Sequence, residues 1–272
     1  MSQILRLNLF KHTIIFIFIS PYIMCYFLFI LLFFVLTPLY LIENRPNFAY
    51  FDKLSIRQNG ISIFNLSQDN IQKQICQNRI IPEIETQVLE LLSEDYVFLD
   101  YSYEISNSCL YTFHRDVTSS KTFQNLSYPS YTLIIYFSKG NHLSISEGSN
   151  TISFITPTPT TIFGEIGQSV LFDSNMVHAA ALSATTERYC KQYKICHKYD
   201  IDKLSHLNNQ HIRKREQIQY MTYFQKFIRF MSHKFIPLFD NKEIGKFIER
   251  KQDNYIVQVF SKIFKLDFFN NT

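Results

Sequence analysis

The chain has 272 residues, enough for one large or two small domains, with 27 Lys+Arg against 23 Asp+Glu and a net charge of +4. Trp is absent, Phe and Tyr are abundant at 27 and 17, and glycine is scarce at six. Five cysteines, one of them inside an apolar run, are too few for a disulfide scaffold, and no nucleic-acid partner is expected.

From Thr13 to Ile42 there is no charged side chain, and Ile, Phe, Leu, Tyr and Val dominate. A bilayer core needs about 20 apolar residues, so the spacing predicts a membrane anchor over 13–42 within an N-terminal region of residues 1–45. A cleaved signal peptide fits less well, because its apolar part is usually about 7–15 residues and ends in a small-x-small site. Arg6 and Lys11 precede the run, which favours a cytosolic N-terminus and a lumenal bulk. The sequons Asn65-Leu66-Ser67 and Asn125-Leu126-Ser127 fit a lumenal domain but arise readily by chance in an Asn-rich chain.

Residues 46–95 read as a helical lead-in, since Ile84, Val88, Leu91 and Leu92 recur at helical spacing after Pro82. Residues 96–198 change to short β-rich runs: Tyr96–Tyr103, Cys109–His114, Tyr131–Phe137, His142–Ser146, Thr151–Ile155, Thr160–Ile166, Ser169–Phe172, Val177–Leu182 and Arg188–Cys196. Turn signals separate them, and so many short strands predict a β-sandwich or barrel. Residues 199–272 return to helical patterning, with stripes Phe224, Phe227, Ile228, Met231 and Ile256, Val259, Phe260, Ile263, Phe264. From His211 onward there are twelve Lys/Arg against six Asp/Glu, whereas the first 210 residues hold fifteen against seventeen. This basic region reads either as amphipathic helices on anionic lipid headgroups or, the commoner arrangement, as a helical cap with a solvated basic face.

The chemistry concentrates in two segments, Phe113-His114-Arg115-Asp116 and Leu171-Phe172-Asp173-Ser174-Asn175-Met176-Val177-His178. On a strand, residues two apart share a face, so His114 and Asp116 point one way and Phe113 and Arg115 the other. With His178 from a distant strand they make two imidazoles and one carboxylate, the donor set of a facial triad that holds Fe(II) and leaves positions open. Structural zinc sites are usually four-coordinate and cysteine-rich. Arg188, ten residues past His178, could fork onto the distal carboxylate of a 2-oxo acid; Lys191 and Lys194 are nearby but less suited to planar recognition. His114-Arg115-Asp116 also spells a protein-kinase catalytic-loop triplet, but Lys121 stands where that loop needs Asn, and no Gly-rich loop precedes it.

Residues 109–198 resemble the double-stranded β-helix (jelly-roll) core of the iron- and 2-oxoglutarate-dependent oxygenases, most of all the phytanoyl-CoA dioxygenase-like group. The resemblance lies in His114-Arg115-Asp116, the strand Tyr131–Tyr136, the stretch Gly167–Asp173 leading to His178, and Arg188. It implies a mainly β core flanked by helices, with His114, Asp116 and His178 as iron ligands and Arg188 as the 2-oxoglutarate anchor. It further implies Fe(II), 2-oxoglutarate and O₂ as reactants, possible use of ascorbate, and succinate and CO₂ as products. Phytanoyl-CoA as substrate is not implied, because fold alone does not choose one. The polar stretch Val117–Pro129 could form a lid. A non-catalytic binding module on the same scaffold is the competing expectation.

Overall fold

The computed structural model describes Tyr26, residues 43–44, 50, 53–107, 110–152, 156–181, 187–215 and 223–236. The chain divides into Met1–Leu41 and Ile42–Thr272, and the fold below belongs to the second. Apart from Tyr26, the apolar run 13–42 lies outside the described residues; among those described, no helix is long and apolar enough to cross a membrane. The second tail stripe, Ile256–Phe264, also lies outside them.

The core is two facing sheets. In chain order the elements are α1 (Ile56–Asn59), β1 (Ile61–Asn65), α2 (Gln68–Cys76), α3 (Pro82–Leu91), β2 (Tyr96–Ser106), β3 (Tyr131–Tyr136) and β4 (Gly140–Ile145). There follow β5 (Thr160–Gly164), β6 (Gln168–Asp173), β7 (His178–Ala180), β8 (Tyr189–His197), β9 (Gln210–Arg215) and α4 (Tyr223–Lys234). The large sheet runs β1-β6-β3-β8-β2-β9 and the small one β5-β4-β7. Because β3, β6 and β8 alternate in sequence with the strands of the small sheet, the chain winds back and forth between two layers, as in a jelly roll.

The two faces of the large sheet have different partners. Leu133, Ile135, Leu171, Tyr193 and Ile195 point outward and pack on Ile71, Ile81, Ile84 and Val88 of the helical layer. Ile134, Tyr136, Val170 and Phe172 point inward and meet Leu143, Ile145 and Ile162 of the small sheet. With both faces covered, β3 reads as the unbroken run Tyr-Thr-Leu-Ile-Ile-Tyr, rich in β-branched and aromatic residues. Ser67 caps α2 by accepting from the Asn70 N–H, and Pro82 opens α3, where its missing donor costs nothing. Gly167 turns the chain into β6 at φ +84°, a left-handed backbone conformation that favours glycine, where it lies against Ile71 of α2.

Three local expectations need correction. Cys109–His114 is no strand among the described residues; it meets the small sheet at the isolated bridge His114↔His178 and through the Ala180 N–H, which donates to the Leu110 carbonyl. The segment expected as a helical lead-in does contain α2 and α3, yet Ile61–Asn65 between α1 and α2 pairs antiparallel with β6 and closes that edge. The basic region begins with a strand, β9, because β2 is eleven residues long and would otherwise leave Tyr101–Ser106 as an open edge. Its Arg213, Lys214 and Arg215 supply the charge that discourages further edge pairing. The helix expected around Phe224–Met231 is present as α4, whose Arg229, Phe230, Ser232 and His233 are buried, so this part of the tail caps the core.

Helix α2 is fastened to β8 by polar groups. Gln74, fully buried, receives the Ile81 N–H at 2.9 Å and donates to Tyr193 Oη at 2.7 Å and the Arg79 carbonyl at 2.9 Å. Lys191 Nζ donates to the carbonyls of Gln74, Ile75 and Gln77 at the end of the helix, where the dipole favours a cation. Gln74→Leu is therefore expected to cost about 1–3 kcal/mol for each buried group left unpaired, read as a lower urea midpoint with an unchanged denaturant slope.

Candidate metal centre

The fold brings three of the four expected site residues to one point. His114, Asp116 and His178 each offer one ligand atom, and these atoms all lie within 4.8 Å of one another. His114 and His178 exchange backbone hydrogen bonds, N–H to carbonyl, at 3.0 Å in both directions, so their side chains share a face with ring centroids 4.5 Å apart. Asp116 follows just beyond the bridge, its N–H donating to the Ser174 carbonyl at 3.0 Å. Parity holds as expected: Arg115 points away and donates to the carbonyls of Ser149, Asn175 and Ile152, fixing the loops behind the site.

The imidazoles are oriented. His114 Nδ1 lies 2.9 Å from the Thr112 carbonyl and His178 Nδ1 3.0 Å from the Met176 carbonyl. A carbonyl can only accept, so Nδ1 carries the proton and Nε2 is the basic nitrogen of each ring, the arrangement usual for metal-ligating histidines. His178 Nε2 is 3.9 Å from Asp116 Oδ1. Burial, together with neighbouring His114, pushes the His178 pKa down to about 3, so its ring is neutral at ordinary pH. The edge of the Phe172 ring system meets it from the large sheet, centroid to centroid 4.6 Å.

Asp116 is buried, which alone would raise its pKa, but the Lys194 ammonium beside it outweighs burial and holds the carboxyl well below the usual carboxylate range. Lys194 Nζ stands 2.7 Å from Asp116 Oδ2 and 3.0 Å from Thr132 Oγ1, and the Thr132 hydroxyl donates to the same Oδ2. Thr132 and Lys194 are cross-strand partners on β3 and β8. One carboxylate oxygen is thus held by the large sheet while the other faces the histidines. A neutral imidazole and an ionised carboxylate, with the Nε2 of both rings as the remaining nitrogen, fit a divalent ion of the Fe(II) type.

Arg188 lies elsewhere on the same inner face. Side chains 188, 190, 192 and 194 of the β8 segment point inward, and Arg188, 8% exposed, sits with its guanidinium carbon 5.9 Å from the Tyr136 ring centroid. Tyr136 is four residues along β3 from Thr132, roughly 13 Å of strand. Lys191 has the opposite parity and caps α2, which removes it as an alternative to Arg188; Lys194 is committed to Asp116.

Sequence reasoning missed two residues beside Arg188. His142 stacks on Tyr136 at 3.7 Å between centroids, with Gln168 close by across Gly164. Its Nε2 and Gln168 Oε1 are buried and have no hydrogen-bond partner among the described residues. Burial, with a smaller contribution from Arg188, lowers the His142 pKa to about 3. Period-two counting puts His142 on the outer face with Ser144, but the β4–β5 register shifts between Asn141 and Leu143, at His142 itself. The polar stretch 117–129 is no free lid. Asn175 accepts from Ser119 Oγ and the Lys121 N–H and donates to Ser120 Oγ, pinning its first turn.

No protein-family model matches the chain, and no curated protein matches it. Among solved structures it is similar to HygX from Streptomyces hygroscopicus, with iron bound, at 12% identity over 53% of this chain and 85% of that one, TM-score 0.41. It is similar to an oxidoreductase of the 2OG-Fe(II) oxygenase family from Burkholderia pseudomallei, at 11% identity over 57% and 94%, TM-score 0.35. It is also similar to EvdMO1, at 12% identity over 52% of this chain and TM-score 0.39, and spans only 48% of that chain. None of these three is named as a phytanoyl-CoA dioxygenase.

Two outcomes test the electrostatics. Lys194→Met leaves the buried carboxylate without its cation and is expected to cost about 3–5 kcal/mol in metal-free protein. Saturating Ni(II) should restore part of that loss by binding the native state, which urea denaturation with and without the ion would show. His142 and His178 stay neutral in the fold but titrate near pH 6.5 when unfolded. The unfolded chain therefore takes up protons that the native state refuses. Stability should be full above about pH 6.5 and fall by about 1.4 kcal/mol per pH unit per histidine as pH drops toward 3. His142→Gln should remove one histidine's share of that slope in denaturation measured from pH 7.5 to 4.5.

Proposed function

We propose that this protein is an Fe(II)- and 2-oxoglutarate-dependent oxygenase, acting as a hydroxylase. The observation that carries the reading is the convergence of His114, Asp116 and His178, with each Nδ1 turned to a backbone carbonyl and both remaining nitrogens basic. When bound, iron with 2-oxoglutarate and O₂ supplies oxidative decarboxylation to succinate and CO₂ coupled to hydroxylation of a C–H bond.

In this reading His114, Asp116 and His178 would hold the metal through Nε2, Oδ1 and Nε2. Lys194 and Thr132 keep Oδ2 of Asp116 engaged, so Oδ1 is the oxygen that would be offered to the metal. Arg188 forks onto the distal carboxylate of 2-oxoglutarate. His142 and Gln168, whose buried polar atoms stand idle beside it, support that placement. Phe172 and the strands of both sheets exclude bulk water.

The uncharged run 13–42 supports a place for the enzyme at a membrane. Asn65 and Asn125 are both exposed, so a lumenal orientation would show as glycosidase-sensitive mass. The basic residues beyond 236 allow anionic lipid contact. The narrower phytanoyl-CoA-like assignment belongs to this proposal too.

A second reading, a non-catalytic binding module, draws on Lys194, whose ammonium already neutralises Asp116 without an ion. Succinate release separates the two. The full chain with Fe(II), ascorbate and 2-oxoglutarate should release succinate slowly even without its substrate. His178→Ala should abolish release, and Arg188→Ala should raise the KM for 2-oxoglutarate at least tenfold. Absent turnover together with absent Fe(II) binding would remove the oxygenase reading and leave the binding module.

A further inference from the structure

We propose that Arg229, on α4, is a positioning residue for the metal centre, and that with Glu43 it laces together the three strands of the small sheet and the 110–114 segment beside them. The inference rests on the metal-centre reading above. Arg229 is 1% exposed, and the hydrogen bonds that place it run to Glu43, Tyr111 and Ala180.

The need for it follows from the fold. His114 is carried by a segment that joins β7 through one bridge rather than a full ladder. Beside the bridge, among the described residues, one further backbone bond joins the segment to β7, from the Ala180 N–H to the Leu110 carbonyl at 2.9 Å. A short pairing of this kind leaves the relative height of two histidines weakly determined.

Arg229 supplies what the missing ladder does not. Its Nη1 donates to the Tyr111 carbonyl at 2.8 Å and the Ala180 carbonyl at 2.9 Å, so one guanidinium nitrogen spans both histidine-bearing segments. The guanidinium also lies 4.4 Å from the centroid of Phe113, a cation–π contact on the residue before His114. One turn along α4, Ser232 Oγ accepts the Phe113 N–H at 2.8 Å. Phe113 and His114 point to opposite faces, so what fixes the first from outside fixes the second inside.

The counter-charge extends the tie. Glu43 Oε1 accepts from Arg229 Nε at 2.9 Å and stands 2.8 Å from its Nη2 in an ion pair. Its Oε2 accepts from Ser144 on β4 at 2.7 Å and Thr161 on β5 at 2.6 Å. Burial opposes the Glu43 charge, and Arg229 with these hydroxyls lowers its pKa all the same. The pair thus reaches β5, β4, β7 and the 110–114 segment, the full width of the layer that holds both histidines.

The test is a Co(II) titration of the full-length protein, read by its visible absorption spectrum, with urea denaturation alongside. Arg229→Met should weaken Co(II) by about 10–100-fold and change the band shape that reports coordination, under conditions where the protein is folded. Phe230→Ala, which removes a buried apolar neighbour on the same helix, should lower the urea midpoint yet leave affinity and spectrum within about twofold. Equal effects of the two variants on Co(II), or none from Arg229→Met, would overturn the proposal and leave the metal centre standing. If the wild type binds Co(II) no better than His178→Ala, the metal-centre reading itself falls, and the proposal with it. Should Arg229→Met not fold, Glu43→Gln takes its place: weaker Co(II) binding supports the tie and unchanged binding overturns it.

Discussion

Two backbone hydrogen bonds, exchanged between His114 and His178, are the constraint on which the rest of the site depends. They bring residues 64 positions apart in the sequence to within a ring's width. An antiparallel pair of this kind forces both side chains to the same face, and that face is the inside of the jelly roll. The carbonyls of Thr112 and Met176, each two residues before its histidine, then settle which nitrogen of each ring carries the proton. Geometry and tautomer therefore come from the same few residues of backbone.

Charge is the second constraint, because an ionised carboxylate cannot be buried alone. The fold answers with Lys194, reaching in from the opposite sheet. The small sheet contributes the imidazoles and the large sheet contributes the cation, so the site exists only when the two layers face each other correctly. The same division appears in the outer contacts. Helices α2 and α3 cover the large sheet with apolar side chains, whereas α4 covers the small one with Arg229, Ser232 and His233.

Much of this was legible in the sequence, and the failures have physical causes. The strands β3 and β6 announce themselves because burial on both faces demands apolar runs, Leu133–Tyr136 and Val170–Phe172. The His-x-Asp spacing and the distal histidine are local, so parity arguments place them correctly. β1 and β9 escaped notice because short edge strands need little apolar content; they exist to close edges that other strands leave open. His142 was missed because a register shift breaks the period-two count. Lys194, legible only as an alternative to Arg188 and not as the partner of Asp116, and Arg229 escaped for another reason: a lysine or arginine in a strand or amphipathic helix looks solvent-exposed until its tertiary partner is known.

Strand β8 carries Lys191 and Lys194 on opposite faces, three residues apart. A slip of one residue would turn Ile195 toward Asp116 and leave Lys194 among Leu133, Ile135 and the apolar side chains of the helical layer. It would also withdraw Lys191 from the end of α2. Each ammonium thus rejects the neighbour the other needs, and the two together act as a key that admits a single alignment of the strand at the centre of the large sheet.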